Sequence, residues 1–297
     1  MSNGKTRCGF IAIIGAPNAG KSTLLNGLIG HKISIVTHKA QTTRRRVIGI
    51  TNVEKSQLVF IDTPGIFSAT KTFDRYMVTS AYAGLLEADI GLLVVDAAKR
   101  DLSKTYGLIQ DLPAKRPPLY LVLNKVDRTL KEKLLPIAAD LNAKIPFAET
   151  FMVSAHTQAG LPDILTNLAA FVPESPWHYE EDQLSNLTQR EIAAETVREK
   201  LFLNLHDELP YGLTVAADTW EHFNNGSVKI SLTIYVERET HKPMVLGHHG
   251  QMIKRIGQLA REDLTHLWGH PVHVMLHVKV KEGWTERPQC YADLGIH

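Results

Sequence analysis

Residues 15–23 read GAPNAGKST, and the order of elements around them decides the fold of the first half of the chain. An apolar run, GFIAIIG (9–15), leads in, and a segment with helical spacing (21–30) leads out. The pattern Gly-x4-Gly-Lys-Ser in a strand–turn–helix setting is that of a phosphate-binding loop. Glycines let the backbone wind tightly enough for successive N–H groups to converge on phosphate oxygens. Gly15, Asn18, Ala19, Gly20, Lys21, Ser22 and Thr23 are therefore candidate nucleotide contacts. Lys21 supplies a point charge for the β- and γ-phosphates, and the Ser22 hydroxyl is a candidate Mg²⁺ ligand.

Four more short apolar runs follow: QLVFID (57–62), IGLLVVD (90–96), PLYLVLN (118–124) and ETFMVS (149–154). Helix-compatible segments, 74–87, 102–112, 130–142 and 161–171, lie between or after them. Buried strands alternating with helices imply an α/β domain with a mostly parallel sheet covered on both faces. Three short motifs end on strand edges in chain order. DTPG (62–65) offers Asp62 to Mg²⁺ and the Gly65 N–H to a γ-phosphate. NKVD (124–127) chooses the base: a buried Asp127 carboxylate accepts from guanine N1–H and the exocyclic amine, and adenine lacks that pair of donors. Asn124 is expected to tie loops together, the Lys125 stem to cover the base, and the N–H groups of Ser154 and Ala155 in VSAH (153–156) to donate to guanine O6. Together these imply GTP and GDP with Mg²⁺ as ligands.

On these motifs the first half resembles the translation-factor-like GTPases, and QTTRRR (41–46) narrows the likeness. The resemblance implies a first switch in which Thr43 ligates Mg²⁺, with Thr42 as the alternative register, and a catalytic set of Lys21, Thr43 and Gly65. Many GTPases place a glutamine directly after DxxG to orient water. Here residue 66 is isoleucine, so slow intrinsic turnover is expected. Relatives with this apolar replacement often recruit K⁺ through a phosphate-loop asparagine, a position Asn18 occupies; Asn18 could equally shape the loop.

The chain is 297 residues long, 44% apolar and 22% charged, a composition suited to two globular domains. No run approaches the length of a membrane span, the first ten residues lack a secretory layout, and Cys8 and Cys290 are too few for a disulfide framework. A cytoplasmic protein is expected. VPESPWHYEEDQLS (172–185) reads as a linker, giving domains 1–172 and 186–297 separated by 173–185. Residues 1–185 hold 21 Lys/Arg against 17 Asp/Glu, and 186–297 hold 12 against 14 with 10 of the 14 histidines. Phosphate attraction in the second part must therefore be local.

That second part reads helix (188–207), two strands joined through Asn224-Asn225-Gly226, a short helix, GHHG (247–250), a helix (251–267) and a strand (272–281), an α+β order. A GTPase domain followed by Gly-x-x-Gly in this setting resembles the Era family over essentially the full chain. The likeness implies a KH module of the second type, whose Gly-x-x-Gly loop clamps single-stranded RNA backbone. Gly247, His248, His249, Gly250, Lys254 and Arg255 are then the RNA-binding set, with His248 and His249 where the family commonly carries lysine. Further implications are binding near the 3′ end of small-subunit ribosomal RNA, a part in 30S assembly, a monomeric state and peripheral association with the cytoplasmic membrane face. A GTPase of transfer-RNA modification and a constitutive RNA-binding protein with a structural nucleotide domain are the rival readings.

Overall fold

A computed structural model describes residues 5–37, 39, 42–66, 72–206 and 209–291. The chain divides into two compact units, 1–70 with 74–186, and 71–73 with 187–297.

In the first unit, β1 (Arg7–Gly15), β3 (Ser56–Asp62), β4 (Ile90–Asp96), β5 (Leu119–Asn124) and β6 (Glu149–Met152) run parallel. They lie in a six-stranded sheet of order β2-β3-β1-β4-β5-β6, in which β2 (Val47–Val53) is antiparallel to β3. No strand is expected at β2 from the sequence, which marks only the switch segment QTTRRR (41–46) before it. β1, β3, β4 and β5 are apolar and buried because helices cover both sheet faces. β6 departs from its expected burial: it is an edge strand, with Glu149 and Met152 exposed.

α1 (Lys21–Ile29) and α5 (Leu161–Phe171) pack on the β1–β3 side of the sheet. α2 (Thr72–Leu86), α3 (Ser103–Gln110) and α4 (Lys131–Lys144) set Leu85, Leu108, Leu134 and Leu141 against Ala12, Ile14, Leu93 and Leu121. Strand order reverses beside β1, so the carboxyl ends of β1 and β4 flank a crevice where open α/β sheets bind ligands.

Residues 173–185 are not a free linker. Cys8 N–H donates to Pro173 O (3.1 Å), Ile50 N–H to Leu184 O (2.9 Å), and Asn52 Nδ2 to Glu181 O (2.8 Å). Gln57 accepts from the N–H groups of His178 and Tyr179 at 2.9 and 3.0 Å. The segment lies along β2 and belongs to the first unit, so the unit boundary falls after Asn186.

The second unit opens with α6 (Gln189–Asn204), started by a capping box between Thr188 and Glu191. β7 (Leu213–His222) and β8 (Val228–Val236) form an antiparallel hairpin, with Gly226 at φ 78° in its turn. After α7 (His241–Leu246) and α8 (Gln251–Trp268), β9 (Val272–Val280) adds in parallel to β8. Val197, Leu201 and Phe202 of α6, and Ile256, Ala260 and Leu264 of α8, bury against Ile230, Leu232 and Ile234. Alternate β9 residues His273, Met275 and His277 face solvent.

Candidate functional site

The phosphate loop leaves β1 through residues that only its own backbone tolerates. Asn18 takes a left-handed φ of 65° and Gly20 a φ of 95°. A Cβ at Gly20 would stand 2.3 Å from Asn124 Nδ2, so close packing and conformation both demand glycine there. Lys21 is buried, and its Nζ donates to the carbonyls of Gly15 (3.0 Å) and Ala16 (3.1 Å). Burial pushes its pKa down to about 8, against the opposing pull of Asp62. A Cβ at Gly65 would lie 3.3 Å from the Lys21 amine, which places the DTPG glycine beside the lysine. Thr23 lines the same pocket as Lys21 and Gly65.

Asp62, at the carboxyl end of β3, is fully buried and collects hydroxyls. Its Oδ2 accepts from Ser22 Oγ (2.8 Å), Ser34 Oγ (3.0 Å) and Thr43 Oγ1 (3.2 Å). Ser22 and Thr43 also touch each other at 2.8 Å. Burial raises the Asp62 carboxyl above its ordinary pKa, opposed by Lys21 and the three hydroxyls. Asp62 Oδ1 is buried with no hydrogen-bond partner among the described residues. Two hydroxyls and a half-satisfied carboxylate are hard oxygen donors, the set that suits Mg²⁺. Thr42 is turned elsewhere: its hydroxyl meets Lys39 O (2.9 Å) and Thr37 Oγ1 (2.8 Å). Part of the first switch (His38, Ala40, Gln41) and 67–71 of the second lie outside the described residues.

Ser34 is a site residue the sequence reading missed. Asn26 of α1 holds it, accepting from the N–H groups of Ile33 and Ser34 and donating to Ser34 O at 2.7 Å. No local pattern in HKISIV marks it, because its contact with Asp62 is 28 residues away. Asp96, also missed, ends β4 and pairs with Lys125 Nζ at 2.7 Å; an acid closing a buried strand beside the phosphate loop was the available signal.

At the base-recognition edge, Asn124 donates to Ala19 O (2.9 Å) and accepts from the N–H groups of Lys125 (2.8 Å) and Ala155 (3.0 Å). One side chain thus joins three loops. Lys125, at φ 65°, also donates to Asn18 O at 2.8 Å. Two expectations need correction. Asp127 is exposed on a short turn after β5 rather than buried. The N–H of Ser154 goes to Ala159 O (3.0 Å) and that of Ala155 to Asn124, so both are engaged internally instead of facing a purine.

In the second unit, GHHG forms a tight exposed turn before α8. Gly247 has φ 74° and ψ 176°, and a Cβ there would lie 2.6 Å from the Met252 Cβ. His249 is itself left-handed at φ 49°. The His248 and His249 rings stand 4.1 Å apart, edge to face, and both are exposed. Gly250 begins α8 without a side-chain cap, leaving N–H groups at the positive helix end for an anion. Lys254 and Arg255 are exposed on the first turns of α8.

Fold and site together define a phosphate-loop nucleotide-binding domain joined to a Gly-x-x-Gly α+β module. A family model described as 50S ribosome-binding GTPase matches residues 10–125, and the KH domain model matches 208–285. The chain is 49% identical to GTPase Era of Mesorhizobium japonicum over 98% of this chain and 94% of the relative, and 48% identical to that of Brucella suis biovar 1 over the same shares. The chain belongs to the Era family of GTPases. Among solved structures, Era in complex with MgGDPNP and nucleotides 1506–1542 of 16S ribosomal RNA superposes with a TM-score of 0.92 at 34% identity, covering 98% of this chain and 99% of that one. An Aquifex aeolicus Era variant bound to GDP and aluminium fluoride matches with the same TM-score, identity and coverage. Among the described residues no helix is long and apolar enough to cross a membrane.

Proposed function

We propose that this chain is a GTP-hydrolysing switch that binds small-subunit (16S) ribosomal RNA near its 3′ end through its KH module and acts in 30S assembly. The observation that carries the reading is the convergence of Lys21, Ser22, Thr43 and Asp62 at the carboxyl edge of β1 and β3. Lys21 exchanges the Gly15 and Ala16 carbonyls for β- and γ-phosphate oxygens, which restores a full charge to an amine that burial disfavours. Ser22, Thr43 and Asp62 are the groups that would hold Mg²⁺, which neutralises charge on the transferring phosphoryl group when bound. Because Thr43 sits on the first switch, the hydroxyl pair Ser22–Thr43 reports the γ-phosphate to the loop over 31–46, and Gly65 beside Lys21 does the same for 62–75. Asp127 selects guanine from its exposed rim and becomes desolvated only when the base covers it.

Ile66 is buried in the core with its N–H on Gly15 O, so its apolar side chain offers no hydrogen bond to an attacking water. Hydrolysis would rely on backbone groups, with Asn18 the residue that would hold a K⁺ supplying positive charge beside the phosphates. The Era complex with 16S RNA supports the small subunit as target, since that likeness spans both units. The family description that mentions the 50S subunit matches only part of the first unit. A monomer in the cytoplasm, with peripheral contact to the inner membrane face, completes the reading.

The test is steady-state GTP turnover by the full chain with and without a 16S 3′-end RNA, in K⁺ and in Na⁺. Repeated turnover, faster in K⁺, is expected. Nucleotide binding with no phosphate release under any of these conditions returns the first unit to a structural role.

A further inference from the structure

The GHHG turn stands at one end of α8. At the other end four rings come together. Trp220, near the end of β7, lies 5.5 Å from Trp268, the last residue of α8, with planes at 57°. His222 is 6.0 Å from Trp220, and His270 stacks on Trp268 at 6.0 Å and 26°. Trp220 Nε1 donates to His222 Nε2 at 2.9 Å, which holds the imidazole against the indole. Both indoles rest partly on the hydrophobic core and are half-buried, as is His270, whereas His222 is exposed. Core packing explains one side of each indole. It does not explain why imidazoles, rather than aliphatic side chains, complete the row, nor why the row stays open to solvent.

A path joins this row to the GHHG turn. Lys254, Gln258, Arg261, Thr265 and Trp268 follow the i, i+4, i+7, i+11, i+14 spacing of one helix face. Lys254 and Arg261 are exposed and form no ion pair among the described residues. The acids nearby are already engaged: Glu221 with Lys229 at 3.3 Å, and Glu262 by Gln258 at 2.9 Å. α8 has 18 residues, so the two ends lie about 27 Å apart.

We propose that Trp220, His222, Trp268 and His270 form a second RNA-binding site, a stacking platform for unpaired nucleobases of the same strand that the GHHG turn clamps. The inference rests on the RNA-binding reading of this unit. Indole and imidazole faces stack on any base, and the unpaired cations between platform and clamp meet the intervening phosphates. An apolar protein partner would gain little from a row edged with imidazole N–H groups.

The experiment titrates labelled pyrimidine-rich oligoribonucleotides of about four and about twelve nucleotides into the full chain, by anisotropy and tryptophan fluorescence. The longer strand is expected to bind about tenfold more tightly than the shorter and to quench indole emission. Trp268→Leu and, separately, the half-buried His270→Ala remove most of that gain and leave the short strand unaffected, whereas Gly247→Ala weakens both. His270→Ala keeps the test valid where Trp268→Leu disturbs folding. Full affinity for the long strand in both platform variants, with Gly247→Ala still impaired, overturns the platform alone. Failure of the parent protein to bind either strand overturns the RNA reading of the whole unit, and the platform with it.

Discussion

Two glycine-bracketed turns open helices in this chain, and they are built in opposite ways. Around the phosphate loop almost every functional group already has a protein partner: Lys21 on two carbonyls, Asp62 under three hydroxyls, Asn124 across three loops. The GHHG turn has exposed imidazoles, an uncapped helix start and open space around Gly250. The first site is preorganised by side chains in a buried, low-dielectric setting, where each charge matters greatly. The second is preorganised by backbone alone and leaves its charges in water, where each matters little. Single substitutions should therefore be severe in the first and mild in the second.

The largest effect belongs to Lys21→Met. It removes a buried amine that phosphate alone fully satisfies, so GTP affinity should fall by about two to three orders of magnitude. The nucleotide-free protein should melt no lower, because the lost charge was one that burial disfavours. A fluorescent GTP-analogue titration and a thermal melt check both, and near-normal GTP binding would break the contrast at its strongest point. Asp127→Asn comes next. GTP affinity is expected to drop about a hundredfold with no gain for ATP, measured by competition; unchanged GTP affinity would mean that the exposed carboxylate never engages the base.

In the second unit, Gly247→Ala drives a Cβ into Met252, whereas Gly250→Ala meets open space and only backbone strain. RNA affinity should fall about tenfold for the first and about two- to threefold for the second, with stability losses of about 1–3 kcal/mol at most. Equal effects would show that conformation, not close packing, sets that turn. The smallest and most discriminating test is pH. Nucleotide binding needs charged Lys21, whose pKa stands at about 8, so affinity holds below that pH and falls as pH rises through it. GTP affinity that stays level as pH rises through about 8 would mean that the Lys21 amine never meets the phosphates.

The same contrast explains what could be read from the chain. Gly15–Thr23, DTPG and NKVD were legible because phosphate and purine chemistry dictates residue type and spacing together. GHHG was legible only through its neighbours, since four residues with no committed side chains carry little information. Ser34 was invisible because its importance is a long-range contact with Asp62, and β2 because its antiparallel pairing sits behind an arginine run. The internal engagement of the Ser154 and Ala155 amides is a matter of loop geometry that residue identity does not encode.

The segment 173–186 has a practical reach beyond tethering. By pairing with Ile48, Gly49 and Ile50 it occupies the outer rim of β2, where bare N–H and C=O groups would otherwise recruit a second molecule. Releasing the nucleotide domain by cleavage at Val172 should yield sticky, self-associating material, while cleavage after Asn186 should leave it dispersed. The colloidal behaviour of this domain is decided by a few residues that its catalytic chemistry never touches.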